Sequence, residues 1–219
     1  MLELLVEVLP LALAGAISPV VLLVALALLS GPRPKLQTGA FAAGVGATVV
    51  VLFALGLVAI RLQSDGDEPG WLGSQGAHLV VGVLLIVAGI GLALIRPNPH
   101  RVEELEARLL AGHRPPRDFA LAGVAVMITN ASSFVMIIAI IHAVARHAVG
   151  VPGDELAFLV AALIVALPAT LPFGAAVLGG EERRERLARV GDLATRYGRF
   201  AMAAIWIAFG TVDVLEVVL

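Results

Sequence analysis

Five long stretches of the chain, residues 8–32, 36–60, 69–95, 119–145 and 156–180, contain no Asp, Glu, Lys or Arg. They run for 25, 25, 27, 27 and 25 residues, and about 20 apolar residues suffice to cross a hydrocarbon core as a helix. A sixth stretch, 200–219, is equally apolar apart from Asp213 and Glu216. Within each stretch apolar residues surround the helix instead of lining one face, as in a helix immersed in lipid or fully buried. The pattern predicts an all-α integral membrane protein with six transmembrane helices, at about 4–30, 38–60, 76–95, 119–145, 156–179 and 199–218.

Composition strengthens this reading. Hydrophobic residues make up 59% and charged residues 15% of the chain, with a mean hydropathy of +0.97; a soluble domain carries about a quarter charged residues. The net charge of −2 by itself says nothing about a partner. The chain has no cysteine, which excludes disulfides, thiol redox chemistry and thiolate metal sites. The opening MLELLVEVLP places Glu3 and Glu7 where a secretory signal would carry basic residues, so it is read as a retained first helix.

Lys and Arg set the expected orientation, because basic loops stay on the cytoplasmic side. Loop 1 holds Arg33 and Lys35, loop 3 holds five arginines from Arg96 to Arg117, and loop 5 holds six from Arg183 to Arg199, together 13 of the 15 basic residues. Loops 2 and 4 hold only Arg61 and Arg146. The expectation is a multi-pass plasma (inner) membrane protein with loops 1, 3 and 5 cytoplasmic and both termini outside. The runs VEELEARLL (102–110) and EERRERLARVGDL (181–193) carry helical charge pairs with Leu and Val at helical spacing, fitting either helices along the inner headgroups or solvated connectors. QSDGDEPGWLGSQG (63–76) reads as an external turn, with Trp71 at the interface.

The two halves of the chain resemble each other weakly. AGAISPVVLLVALALL (14–29) aligns with VMITNASSFVMIIAII (126–141), setting Ser18-Pro19 against Asn130-Ala131, and GVLLIVAGI (82–90) aligns with AAIWIAFGT (203–211), setting Gly89 against Gly210. Three helices per half is an odd number, so the second half enters the membrane upside down. That predicts a 3+3 inverted repeat, with a first repeat at 1–95, a cytoplasmic connector at 96–118 and a second repeat at 119–219. Helices 1 and 4 are expected to be discontinuous, since proline removes an N–H and clashes with the carbonyl one turn back, while Ser, Thr and Asn can satisfy freed groups. Breaks at mid-membrane leave positive half-helix N-termini that suit an anionic group. The candidate substrate-pathway residues are therefore Ser18, Pro19, Thr129, Asn130, Ser132 and Ser133; the alternative is that they only kink helices and pack.

Pro168, Thr170 and Pro172 in ALPATLPFG predict a bend in helix 5, either a gate or a static kink. Gly39, Gly44, Gly46 and Thr48 offer close helix contact. Ionisable groups within a membrane are costly and usually functional. Asp213, with His142 as its expected neighbour at similar depth, is a candidate for proton coupling; the alternative leaves Asp213 in water.

At LPLALAGAISPVVLLVALALLSGPRP (9–34), at GAFAAGVGATVVVL (39–52) and in the six-helix layout, the chain resembles the GAP family, the peptidoglycolipid- or sulfolipid-addressing membrane proteins of actinobacteria, within the lysine-exporter superfamily. That superfamily has a proline-containing break in segment 1, matched by Ser18-Pro19, and an Asn-Pro-Lys-like break in segment 4. Asn130-Ala131-Ser132 keeps the Asn and lacks the Pro and Lys. The resemblance implies export or translocation of a lipid or glycolipid envelope component. Related members export amino acids or metal ions, and others carry reducing equivalents through paired cysteines, which this chain lacks.

The segment centres offer hydroxyls, one amide and helix ends without carboxylates or histidines, which suits an amphiphile with an anionic headgroup better than a metal ion or a zwitterion. A small-solute exporter, or a non-transporting scaffold for an envelope-lipid enzyme, are the competing readings. No constellation of nucleophile, base and metal has catalytic spacing, and there is no ATP-binding glycine-rich loop, so no enzyme, cofactor, metal or nucleic-acid partner is expected. The expected partners are the bilayer, the lipid or glycolipid substrate, a second copy in a homodimer and a larger envelope-lipid exporter or enzyme.

Overall fold

Lipid offers no water to backbone N–H and C=O groups, so a spanning segment must satisfy them internally, and a helix does this residue by residue. A computed structural model describes residues 2–64, 74–94, 104, 107, 114–147, 150, 152–179 and 181–218. Among them run nine helices: α1 (Leu2–Ala16), α2 (Pro19–Leu29), α3 (Pro34–Ser64), α4 (Gln75–Leu94), α5 (Pro116–Thr129), α6 (Ala131–His147), α7 (Gly153–Val165), α8 (Leu167–Leu178) and α9 (Glu181–Val218). Residues 34–62, 75–94 and 200–218 are each long and apolar enough to cross a membrane alone. The pairs α1–α2, α5–α6 and α7–α8 qualify when joined, bent by 51°, 69° and 61°. Large apolar side chains such as Leu55, Val87 and Leu163 stand exposed on these helices, a coat suited to lipid and unsuited to water. The chain is a multi-pass membrane protein of up to six spans.

Discontinuity in helices 1 and 4 is present as expected, and helix 5 adds a third break. Ala166 interrupts it, two residues before Pro168, because a proline disturbs the turn that precedes it. Pro19 does not kink a continuing helix: it occupies the first turn of α2, where its missing N–H costs nothing. The run 181–193, for which the sequence leaves both a headgroup helix and a solvated connector open, is the first third of α9, which starts at Glu181, ahead of the expected bound of about 199, and continues without a break into the last span. Arg, Glu, Leu and Ala are all good helix formers. The runs around Trp71 and at 102–110 lie outside the described residues, apart from their edges and from residues 104 and 107.

Glycine sets two close packings. A Cβ on Gly44 would collide with the backbone carbonyl of Ala120, and one on Gly123 with that of Phe41, so α3 and α5 approach backbone to backbone. Likewise α4 and α9 run antiparallel: a Cβ on Gly82 would stand 2.9 Å from the Gly210 oxygen, and one on Gly89 3.1 Å from the Ala203 oxygen. In lipid, where apolar surface gains little from association, such close approach is a main source of helix cohesion. Gly46, by contrast, faces open space, and Gly39 receives the ring of Phe173 from α8.

Candidate functional site

The site is built where helices stop. α1 ends at Ala16 and α2 restarts at Pro19, with Ser18 as its N-cap residue in an extended conformation. α5 ends at Thr129, Asn130 caps its C-terminus, and α6 starts at Ala131. These breaks meet. The Asn130 side-chain amide donates from Nδ2 to Ser18 Oγ at 2.6 Å and to Ser133 Oγ at 3.0 Å, while Ser132 Oγ donates to Asn130 Oδ1 at 2.7 Å. One amide thus joins three hydroxyls, the farthest 112 residues away in sequence. Ser18 and Ser133 are almost wholly buried, at 3% and 2% exposure. Both hydroxyl oxygens accept from Asn130, so their own protons are not spent in these bonds and can serve another acceptor.

Of the sequence candidates, Ser18, Asn130, Ser132 and Ser133 come together, and Pro19 shapes the break. Thr129 does not join them. It is exposed, and its hydroxyl donates at 2.7 Å to the Ala125 carbonyl one turn back. In helix 5, Pro168 and Pro172 are buried, whereas Thr170 is exposed and its hydroxyl donates at 3.1 Å to the Ala166 carbonyl, which also accepts the Thr170 backbone N–H, so the hydroxyl serves its own helix.

A second polar cluster lies about 16 Å along α1 and about 24 Å along α6 from the breaks, at a rise of about 1.5 Å per residue. Asp213 is buried, not solvated, and its partner differs from the expected one. His78 Nε2 lies 3.1 Å from Asp213 Oδ1, and the His142 ring instead meets the His78 ring edge-on, with centroids 4.9 Å apart. The reason is register: α4 and α9 touch through Gly82 and Gly210, which brings their neighbouring turns, carrying His78 and Asp213, together. Arg146 ends α6 here. It donates from Nη1 to Glu216 at 2.6 Å and to His78 Nε2 at 2.8 Å, and from Nη2 to Glu7 of α1. His147 Nδ1 is 3.5 Å from the same Glu7 carboxylate.

Glu7, Arg146, Asp213 and Glu216 line an open pocket of about 420 Å³ whose other walls include Leu2, Val6, Phe209 and Val212. At the same end Arg61 pairs with Glu155 at 2.6 Å. Described charges here are mostly acidic, while Arg33, Lys35, Arg114 and Arg117 gather at the opposite end. Among the described residues, no group of three or more His, Asp or Glu is placed to hold a metal ion. Glu7, His78 and Arg146 were missed as site residues in the sequence. Glu7 and Arg146 bound the charge-free runs and so read as loop charges, and a histidine does not interrupt such a run.

Comparison with known proteins decides the family. Residues 8–215 match the SfLAP family, described as Sap, sulfolipid-1-addressing protein. The chain belongs to that family. No match was found among curated proteins or among solved structures. Membership places this SfLAP chain with an addressing-type family and not with a known enzyme family. All three helix breaks and the polar clusters fall within the matched span, except that Glu7 and Glu216 lie one residue outside it.

Proposed function

We propose that this SfLAP protein is an exporter or flippase that moves an anionic lipid or glycolipid component of the cell envelope across the bilayer. The observation that carries this reading is the Asn130–Ser18 hydrogen bond. It joins two helix breaks at mid-span, so that the N-termini of α2 and α6, with their positive dipole ends, flank hydroxyls able to donate to an anionic headgroup. The family description names a sulfolipid, an amphiphile with an anionic headgroup. Its acyl chains stay in the bilayer while the headgroup crosses, so the protein must supply polarity only along the headgroup path.

The reading includes a 3+3 inverted repeat, in which Ser18 and Asn130 are equivalent positions; equivalent residues of a two-fold pair touch only beside the axis. The antiparallel α4–α9 contact supports it. The register that aligns Gly89 with Gly210 also aligns Gly82 with Ala203, and it converts the Gly82–Gly210 contact into the Gly89–Ala203 contact. Placing the basic end in the cytoplasm follows the positive-inside rule. An anionic headgroup would then be drawn to the basic end, held at the neutral centre and released toward an end dominated by carboxylates. α8, with Pro168 and Pro172 beside α3, serves as the moving wall. Coupling to an ion gradient or a partner supplies the energy.

The test is translocation of a headgroup-labelled anionic glycolipid in vesicles containing the full chain. Ser18→Ala with Asn130→Ala should abolish translocation while helix content is retained. Undiminished flux in that double variant would overturn the reading. Undiminished flux combined with functional loss on neutralising Arg114 and Arg117 would transfer the function to a scaffold.

A further inference from the structure

His78 Nε2 has two partners that make opposite demands. A guanidinium can only donate, so Arg146 Nη1, 2.8 Å away, requires Nε2 to be an unprotonated acceptor, with the ring proton on Nδ1. Asp213 Oδ1 lies 3.1 Å from the same nitrogen. If Asp213 were ionised, its oxygen would face the Nε2 lone pair, two acceptors with no proton between them. The single Nε2 lone pair can keep both contacts only as a shared acceptor, with Arg146 as one donor and a protonated Asp213 as the other.

We infer that His78 and Asp213 form a proton-binding site, with Arg146 as the competitor that makes its geometry depend on protonation. The inference deepens the export reading, resting on it only for what the site couples to. With the proton on Asp213, α4, α6 and α9 are tied through one nitrogen. When the O–H bond breaks, the proton passes to water in the pocket that Asp213 lines, and the bonding pair stays on the carboxylate. Oδ1 and Nε2 then repel, the carboxylate turns toward Arg146, and the tie between α4 and α9 opens. A proton arriving on Nε2 instead makes the ring a donor to Asp213 and expels Arg146 from His78. Each change is local, and each alters which helices are joined at this end.

The groups that bear on this proton come from every element around it. Glu7 and Glu3 approach from α1, with Glu7 bound to Arg146 and near His147. His142, Arg146 and His147 come from α6, and Asp213 and Glu216 from α9, with Glu216 Oε2 3.6 Å from His78 Nε2. The connection to the centre is direct. α6 carries Ser133 in its first turn and Arg146 in its last, and α1 carries Glu7 and ends at the break before Ser18. The helices joined by Arg146–Glu7 at one end are those whose breaks are joined by Asn130–Ser18 at the other.

The cysteine-free chain allows a clean test without substrate. Val6→Cys and Val212→Cys place labels at the pocket, one on α1 and one on α9. Spin-label distances in vesicles are read at about pH 8 and about pH 5, on either side of the ordinary imidazole value of about 6.5. The distance distribution should change with pH, and infrared spectra should show one protonated carboxyl band that disappears in Asp213→Asn. Asp213→Asn and His78→Gln should each lose the pH response while keeping wild-type helix content. Should either fail to fold, the other variant and the wild-type carboxyl band still decide. A pH-independent distribution in the parent chain, or a response or carboxyl band that survives Asp213→Asn, overturns the proposal. Neither readout involves lipid translocation, so this site can fail while the export reading stands, and the reverse.

Discussion

Two polar clusters sit in this bundle, and they solve burial in opposite ways. At the breaks, every side chain is neutral: an amide and three hydroxyls bond to one another across the spans. At the acidic end, carboxylates, an arginine and histidines crowd around an open pocket. The difference follows from depth. A charge at the bilayer centre costs about 3 kcal/mol even on the lenient insertion scales, whereas near the boundary water shares the burden. On the export reading, the neutral cluster would hold a passing headgroup without trapping it, and the charged cluster would store and release the proton inferred above.

The sharpest way to break this contrast is to put a charge where none is tolerated. Asn130→Asp is nearly isosteric, yet it should cost about 3 kcal/mol and end translocation, because the charge lies at mid-span and one oxygen replaces the amide donor. Unfolding in mixed micelles measures the loss; a wild-type midpoint would mean the centre is wetter than its burial indicates. Removing charge from the other cluster comes next. Arg146→Gln leaves Glu7 and Glu216 facing each other and should cost about 2 kcal/mol, below the range for fully buried pairs because the site is partly open. Equal stability of this variant and the wild type would show that the carboxylates are protonated or solvated instead.

Smaller effects sharpen the comparison. Ser18→Ala deletes one hydrogen bond within the membrane and should cost about 0.6 kcal/mol, near the average for such bonds, with a larger effect on flux than on stability. Thr129→Val, one residue from Asn130, should change either property only slightly, since its hydroxyl serves its own helix; a strong loss of flux would return Thr129 to the pathway. Arg61→Gln breaks an exposed pair with Glu155 and should cost at most about 0.5 kcal/mol.

The neutral cluster was legible in the sequence because Ser18-Pro19 and Asn130 interrupt apolar runs, and interruption is a one-dimensional signal. The charged cluster was only partly legible. Asp213 stood out as a carboxylate within a span, but its partner His78 is set by the glycine contact between α4 and α9, which no local pattern encodes. Glu7 and Arg146 marked the ends of runs, so the scan that found the spans assigned them to loops. Thr129 fell the other way: it belongs to the polar run, but its position on the last turn of α5 points it outward. The break in helix 5 was signalled by its prolines, whereas the continuity of α9 was hidden behind a dense run of charges that reads as a connector and folds as a helix.

That continuity has a mechanical side. With 38 residues, α9 is about 57 Å long, nearly twice the thickness of a hydrocarbon core. It is pressed against α4 by glycine contacts that lie toward the end bearing Asp213, and farther along its length it meets α2, where the Leu26 side chain fills the space beside Gly191. The last span and the charged run before it are one helix held at both places, so a shift imposed on α9 beside Asp213 would be passed along the rod to α2, whose N-cap is Ser18.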